Sequence, residues 1–289
     1  MMNKNILFDV SEPNGTNNLL YSQNRTLYVD QFVDDLTLDE RSFECFSPND
    51  IKDVFDYYQP CKYNVELKTE CDDVVFENFI FRNLSDFDDK QLIAQSKTLS
   101  ILYKKKNENR NTEKCLIDNL CLLHNEIRKL ELAYRTLALF LDNAAPILKD
   151  SLSLMNVNKV NRGDFDAEET IDVIGEIESN YDRININNKY SLLVIPGYLG
   201  NSSIVRKWAE IAYKYKVVIV TDFADCLNFN TLVEELNDAN LHGNDACLSN
   251  VVMTCNYIID SYSSDALEVN NELYLPASGD ASGNGATVG

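Results

Sequence analysis

An apolar run followed by two glycines is the first feature of this sequence that could do chemistry. The stretch SLLVIPGYLG, residues 191–200, places Gly197 and Gly200 after aliphatic residues, as in a buried strand that enters a turn before a helix. Such turns hold phosphates in nucleotide-binding folds and contribute to the oxyanion hole of lipases. Asp222 follows Gly200 by 22 positions, near the place where an acidic side chain would bind a ribose.

Neither chemistry has its full set of residues. The dinucleotide fingerprint needs three glycines, and only Gly197 and Gly200 are present, with the bulky Tyr198 where a pyrophosphate would approach. The G-K-[ST] end of a Walker loop and the G-x-S-x-G elbow of lipases do not occur. We therefore interpret the stretch as structural, with Pro196 stopping the strand and Gly197 permitting a turn. A nucleotide-binding α/β enzyme that uses Gly197 and Asp222 is the least favoured alternative.

The histidines and cysteines form no metal or catalytic pattern. His124 and His242 have no partner at ligand spacing, and none of the eight cysteines forms a C-x-x-C pair. We interpret the cysteines as free thiols in a reducing compartment, and His124 as a packing or surface residue beside an apolar seam. The sequence predicts no catalytic, cofactor-binding or metal-binding residues, and therefore no cofactor and no enzyme.

The charge balance excludes a free nucleic-acid-binding protein. The 289 residues contain 26 basic and 46 acidic side chains, a net charge of −20 that would repel a polyanion. The start, MMNKNILFDV, lacks the apolar core of a signal peptide, and no uncharged apolar run approaches the roughly 18 residues of a membrane helix. We expect a cytoplasmic protein without membrane insertion.

The N-terminal part of the chain predicts a flexible arm over residues 1–24 and then a small α+β segment over 25–110. Pro48 is typical of the first position of a short helix with one apolar face. Short strands are expected at 26–33, 63–67 and 74–81.

A second helix in this segment is predicted from a capping signal. Ser85 or Asp86 can cap it, acidic residues follow in its first turn, and it runs to about residue 106. Asp86, Asp88 and Asp89 resemble a calcium loop only superficially, because the glycine turn and terminal glutamate of an EF-hand are missing. We interpret these acids as helix-capping groups.

The clearest periodic signal is a long helix over residues 113–142, which Pro146 then ends. Its apolar seam steps alternately by four and three residues, which is heptad spacing. The seam needs a partner, which could be a neighbouring helix, the sheet or another subunit. Its members are Leu116, Leu120, Leu123, Ile127, Leu130, Tyr134, Leu137 and Leu141.

From residue 151 strands and helices alternate, which predicts an α/β fold with a mostly parallel or mixed sheet flanked by helices. Strands are expected at 152–157, 191–195, 217–220 and 251–257. Helices are expected at 166–180, 202–215 and 230–237. The predicted division of the chain is an arm at 1–24, the α+β segment at 25–110, the long helix at 111–150, an α/β domain at 151–276 and a flexible tail at 277–289.

Several segments of this domain resemble one family. They occur in the order found in the large contractile-sheath subunit of bacterial type VI secretion systems, the TssC/VipB family: SLMNVNKVNRGDFD, NYDRININNKYSLLVIPGYLG, KWAEIAYKYKVVIVTDFAD, DANLHGNDACLSNVVMTCNYII and ELYLP. The resemblance runs from about residue 135 to 276, and residues 277–289 diverge from the family pattern. Residues 64–106 are more weakly similar to the small sheath subunit, TssB/VipA.

The resemblance implies an α/β sheath protomer without an active site or a cofactor. In that family a large and a small sheath subunit form a heterodimer, and heterodimers stack with neighbouring sheath protomers into a tube around an inner needle. Contraction of the sheath drives the needle outward. Implied partners are the small subunit, neighbouring protomers, the inner tube protein, the baseplate and a recycling ATPase, and no nucleic acid. A non-polymerising adaptor or regulatory module on a sheath-like fold is the second interpretation.

Overall fold

A five-stranded parallel sheet organises the fold. The computed structural model describes residues 25–33, 46–107, 110–144, 151–156, 190–198, 202–223, 229–239, 246–255, 258–264 and 269–279. The sheet is built from β1 (Thr26–Asp30), β4 (Leu152–Asn156), β5 (Leu192–Tyr198), β6 (Val218–Asp222) and β7 (Val251–Thr254). The strands lie in the order β4-β1-β5-β6-β7, and each neighbouring pair is parallel. Among these five strands this is the order 2-1-3-4-5 of flavodoxin-like sheets, and it confirms the predicted α/β class.

Helices flank this sheet, and a 3-10 turn over Leu84–Phe87 precedes the second of them. One helix is much longer than the rest, as the heptad pattern predicted. The helices are α1 (Ile51–Tyr58), α2 (Asp89–Gln95), α3 (Lys97–Lys105), α4 (Arg110–Asn143), α5 (Ser202–Tyr215) and α6 (Phe229–Ala239).

Two apolar clusters lie on opposite faces of the sheet, because successive strand residues point to opposite sides. Tyr28 and Val194 belong to the cluster that contains the seam of α4. Leu27 and Leu193 belong to the second cluster, with Trp208 of α5. Since both faces are covered, the strands read in the sequence as nearly continuous apolar runs rather than as alternating ones.

The heptad seam of α4 packs inside this chain. All eight seam residues are buried and belong to one cluster, which also contains residues of β1, β4, the β2–β3 hairpin described below and helices α1 to α3. The partner of the seam is therefore the chain's own sheet and small helices. A residue at the centre of the seam, Leu123, is fully buried, whereas its neighbour Leu122 is 40% exposed.

Strand β1 connects parts of the chain that the sequence assigned to different domains. It comes from the predicted segment 25–110, but it pairs on one side with β4 and on the other with β5. Leu27 lies opposite both Ser153 and Leu193 in the two registers. The predicted domain boundaries stay a prediction, and the sheet itself draws on both sides of them.

Two predicted helix starts in the N-terminal segment are wrong. The N-cap of α1 is Asp50, whose side chain accepts a hydrogen bond from the Asp53 amide at 3.0 Å, so Pro48 lies before the helix and not at its first position. The single helix expected from residue 85 to 106 is instead a 3-10 turn and the separate helices α2 and α3. Ser96 breaks the run because its hydroxyl caps α3 through the Leu99 amide at 3.0 Å.

The predicted strands around residues 63–67 and 74–81 form an antiparallel hairpin of β2 (Cys61–Lys68) and β3 (Val74–Ile80). Side chains from the helices satisfy backbone groups at both outer edges. Asn119 of α4 accepts a hydrogen bond from Lys68 N at 2.8 Å and donates one to Lys68 O at 2.9 Å. Gln95 accepts one from Ile80 N at 3.0 Å. An isolated two-stranded sheet is marginal in water, and these contacts tie it to the helical layer.

Strand β5 does not stop at Pro196, contrary to the prediction. It continues to Tyr198, with an irregular register against β6 between Ile195 and Tyr198. A second antiparallel hairpin, β8 (Ile258–Ser264) with β9 (Val269–Leu275), was not predicted as a pair of strands. Its polar stretches DSYSS and VNNE carry little apolar alternation, which explains the omission.

Some predictions fall outside the described residues: the arm at 1–24, the helix at 166–180, the helix-ending role of Pro146, and residues 280–289 of the predicted tail. In the described ranges, no helix combines the length and the apolar character needed to span a bilayer.

Candidate functional site

The carboxyl edge of the parallel sheet is the place to look for a ligand site, because open α/β sheets bind ligands there. Asp222 ends β6 at this edge and is fully buried. Its Oδ2 accepts a hydrogen bond from Gly197 N at 2.8 Å, and its Oδ1 accepts one from the Thr254 hydroxyl at 2.6 Å. Ser278 adds two donors, its amide to Oδ1 at 2.8 Å and its hydroxyl to Oδ2. The carboxyl group thus links β5, β6, β7 and the segment after β9.

Gly197 serves this internal network. Its φ of 110° lies in a region that residues with a side chain rarely adopt. Its amide donates to Asp222, and its carbonyl accepts from the Thr221 hydroxyl at 3.0 Å. The backbone N–H that would bind a phosphate in a nucleotide fold is therefore engaged by the protein's own carboxyl group. The least favoured interpretation of the sequence paired Gly197 with Asp222 for a ligand, and the structure pairs them with each other.

The segment after β9 closes the same edge. Ser278 is fully buried, and a Cβ on Gly279 would lie 2.7 Å from Thr136 Cγ2 and 3.1 Å from Thr136 O. Gly279 therefore permits a close approach to α4 that a side chain would obstruct. Residues 277–279, the start of the predicted flexible tail, form a helical turn here, and the tail itself stays a prediction.

Polar groups at the carboxyl ends of β4 and β1 also make internal hydrogen bonds. Asn156 at the end of β4 accepts hydrogen bonds from Phe32 N at 2.6 Å and Val33 N at 3.1 Å. Asp30, which is 1% exposed, accepts one from Gln31 N at 2.8 Å. The polar groups with which a doubly wound sheet binds a ligand are used here to fix the loop after β1.

Two of the described thiols, Cys255 beside Asp222 and Cys115 on α4, have raised pKa values. Burial, together with the nearby Asp222 carboxylate, raises the pKa of the Cys255 thiol. Burial and neighbouring acids also raise the pKa of Cys115. Since the thiolate is the reactive form, neither thiol is activated. Within the described ranges, histidine, cysteine and acidic side chains form no group of three or more placed to hold a metal ion.

We predict that Gly197→Val lowers the free energy of unfolding by about 2 kcal/mol or more, because a β-branched residue is strained at this φ. Urea unfolding measures the change, and Gly197→Ala should show a smaller one. Loss of a small-molecule activity in a variant that folds and assembles normally would instead support the enzyme alternative.

A second polar cluster joins α2 to α4. His124 Nε2 lies 2.6 Å from Asp89 Oδ1, and His124 Nδ1 lies 3.8 Å from Glu131 Oε2. Arg135 bonds Glu131 Oε1 through Nε and Asp88 Oδ1 through Nη2, both at 3.0 Å. His124, Glu131 and Arg135 are seven and four residues apart, so they share one side of α4 beside the seam. The acids Asp88 and Asp89, predicted as capping groups, therefore contact α4.

Protonated His124 is part of this cluster at neutral pH. Burial alone would lower its pKa, but the hydrogen bond with Asp89 and the nearby Glu131 outweigh burial and raise the pKa from 6.5 to about 9. Sequence spacing did not reveal this role, because Asp89 is 35 positions away along the chain. The spacing of seven residues does place Glu131 near His124 on the same side of α4, so this contact could have been predicted from the sequence.

The raised pKa of His124 predicts a pH-dependent stability. The imidazolium contributes stability that is complete below about pH 6.5 and is lost as the pH rises through about 9, a loss of roughly 3 kcal/mol at 1.36 kcal/mol per unit. Urea unfolding at pH 6 and pH 9.5 tests this, with His124→Gln as the control. The wild type should lose about 3 kcal/mol more than the variant over this range, and equal losses would contradict the assignment.

Fold and site together define an α/β domain with a flavodoxin-like strand order, in which the described polar groups at the carboxyl edge, Asp222 and Asn156, bond to the protein itself. The family model for the type VI secretion system TssC/VipB central domain matches residues 122–287, more than half of the chain. The chain therefore belongs to the TssC/VipB family, whose members are structural components of the type VI sheath. A comparison with curated proteins finds no match. The weaker small-subunit resemblance of residues 64–106 lies outside the matched region and stays a prediction.

Proposed function

We propose that this chain is a large sheath subunit that forms a heterodimer with a small sheath subunit and assembles with neighbouring protomers into a contractile tube. The observation that supports this most strongly is the family match, which begins within α4 and covers four of the five strands of the sheet. The tube would surround the inner tube protein and stand on a baseplate, and a recycling ATPase would disassemble the contracted form. In this proposal the protein acts in the cytoplasm, and the free thiols of its described cysteines fit a reducing compartment.

The internal networks suggest how such a protomer would work. Asp222 ties together three strands and residues 277–279, and the His124 cluster ties α2 to α4. Packed interiors resist continuous deformation, so movement between two assembly states concentrates at interfaces. We propose that each protomer moves as a nearly rigid body, and that the free energy released on contraction comes from contacts between protomers.

Co-purification tests the heterodimer. A tagged small sheath subunit co-expressed with this chain should retain it at one-to-one stoichiometry, and mixtures of heterodimers should grow into larger particles by light scattering. A one-to-one complex that never grows would favour the adaptor interpretation. A chain that stays monomeric beside the small subunit would contradict the proposal.

A further inference from the structure

The β8–β9 hairpin is not part of the five-stranded sheet. Its strands pair with each other over their full length, from Ile258 opposite Leu275 to Ser264 opposite Val269, and they form a sheet of their own. A two-stranded sheet by itself is marginal in water, so the hairpin depends on the parts of the chain that it packs against. Those contacts decide whether it can open separately from the main sheet.

The apolar contact between this hairpin and α4 is small. Among the side chains that the structure describes, Leu275 of β9 and Leu132 of α4 are the buried members of a third apolar cluster, and Leu139 and Ile258 pack against it partly buried. The cluster that contains the α4 seam is far larger. Because stabilisation by burial scales with apolar area, this contact holds the hairpin more weakly than the core holds the main sheet.

Residues 277–279 connect the hairpin to the carboxyl edge of the main sheet. They form a helical turn after β9, and we call them the latch. Pro276, between β9 and the latch, is buried and has a fixed φ, so it stiffens the joint. Ser278 is fully buried, and Gly279 lies close against Thr136 of α4. We therefore expect the hairpin and the latch to move as one piece.

Each oxygen of the Asp222 carboxyl group accepts one hydrogen bond from the main sheet and one from the latch. Oδ1 accepts from the Thr254 hydroxyl and the Ser278 amide. Oδ2 accepts from the Gly197 amide and the Ser278 hydroxyl. When the latch leaves, both donors of the sheet keep their bonds, and water can replace Ser278 at each oxygen. The latch can therefore separate while β5, β6 and β7 stay joined through Asp222.

We propose that the latch holds the β8–β9 hairpin closed, and that hairpin and latch open together as one unit while the five-stranded sheet stays folded. Opening uncovers the Asp222 carboxyl group at the edge where α/β sheets bind ligands, which the closed latch covers. This inference does not depend on the proposed sheath role. It limits the rigid part of the protomer to the main sheet and its helices.

Hydrogen exchange of the full chain, followed by mass spectrometry, tests the inference with Ser278→Ala and the matched control Ser249→Ala. The Ser249 hydroxyl is exposed and bonds within its own short helical turn, Ala246–Asn250. In the wild type, β8, β9 and the latch should share one protection factor that is lower than that of β5 and β6. Ser278→Ala should lower this shared factor by about tenfold and change β5 and β6 by less than about twofold. Ser249→Ala should change neither by more than about twofold.

A disulfide that locks the latch gives the opposite test. A Cβ on Gly279 would lie 2.7 Å from Thr136 Cγ2, so cysteines at these two positions are within reach of a disulfide. In the double variant Thr136→Cys/Gly279→Cys, oxidation should raise the protection factor of the hairpin by at least about tenfold over the form reduced with dithiothreitol.

Three results would overturn the proposal. A hairpin that is protected as strongly as β5 and β6 would open only when the whole chain unfolds. Weak protection that Ser278→Ala leaves unchanged would mean that the latch does not hold the hairpin. An equal loss of protection in β5 and β6 would mean that Ser278 stabilises the whole fold and not a separate unit.

Discussion

Replacing Asp222 with Ala is expected to lower the free energy of unfolding by at least about 3 kcal/mol. The substitution leaves the Gly197 amide and the Thr254 and Ser278 donors without their acceptor in a fully buried site. Each unsatisfied buried polar group costs about 1–3 kcal/mol, and they can regain partners only if water enters. Urea unfolding followed by circular dichroism measures the loss.

Two further variants show whether the loss of stability comes from the hydrogen-bond network or only from the removal of a negative charge. Asp238→Ala removes an exposed acid from α6 and should change stability by less than about 0.5 kcal/mol. Asp222→Asn keeps the shape but replaces one acceptor oxygen with a donor that faces donors, so it should also be strongly destabilising. In Asp222→Ala the amide of Ser278 should lose protection from hydrogen exchange before the core strands do. A midpoint matching that of Asp238→Ala would mean that Asp222 does not organise this edge.

Leu123→Ala is expected to cost about 2–5 kcal/mol, because it creates a cavity in the centre of the α4 seam. Leu123 is fully buried, whereas the adjacent Leu122 is 40% exposed on the same helix. Leu122→Ala makes the same chemical change with the same helix propensity, and it should cost less than about 0.5 kcal/mol. Urea unfolding of the two variants side by side isolates burial from all other effects of the substitution.

Comparing Leu123→Ala with Leu122→Ala also shows whether the seam packs within the chain or between subunits. If the seam packed between subunits, Leu123→Ala would leave the isolated chain nearly as stable as the wild type and would weaken assembly only. The structure predicts the opposite, since the seam lies in the chain's own core cluster. Similar stabilities for the two variants would therefore contradict the intrachain packing.

The spacing of apolar residues in the sequence predicted those helices and strands whose residues are buried in a regular pattern. Eight seam residues at heptad spacing located α4 to within three residues at its start and one at its end. Apolar runs located β4, β5 and β6, because strands covered on both faces lack polar positions. The same signals identified the parallel sheet, but strand order could not be read from them. The position of β1 between β4 and β5 depends on pairing across more than 120 residues, which no local pattern encodes.

Polar contacts were the part that the sequence could not predict. Asp222 was considered as a ribose ligand only under the least favoured alternative, and its actual donors include Ser278, which lies in a run of small residues with no periodic signal. His124 was interpreted as packing or surface, yet it pairs with an acid on another helix. In both cases the partners are brought together by the fold, so the side chain alone indicates only that it needs a partner.

Electron microscopy of the chain co-expressed with a small sheath subunit is the sharpest test of the proposed sheath role. We expect tubular particles that contain both chains and that are absent when either chain is expressed alone. A well-folded chain that stays monomeric in the presence of the small subunit, with no tubes under any condition, would contradict a role as a sheath subunit.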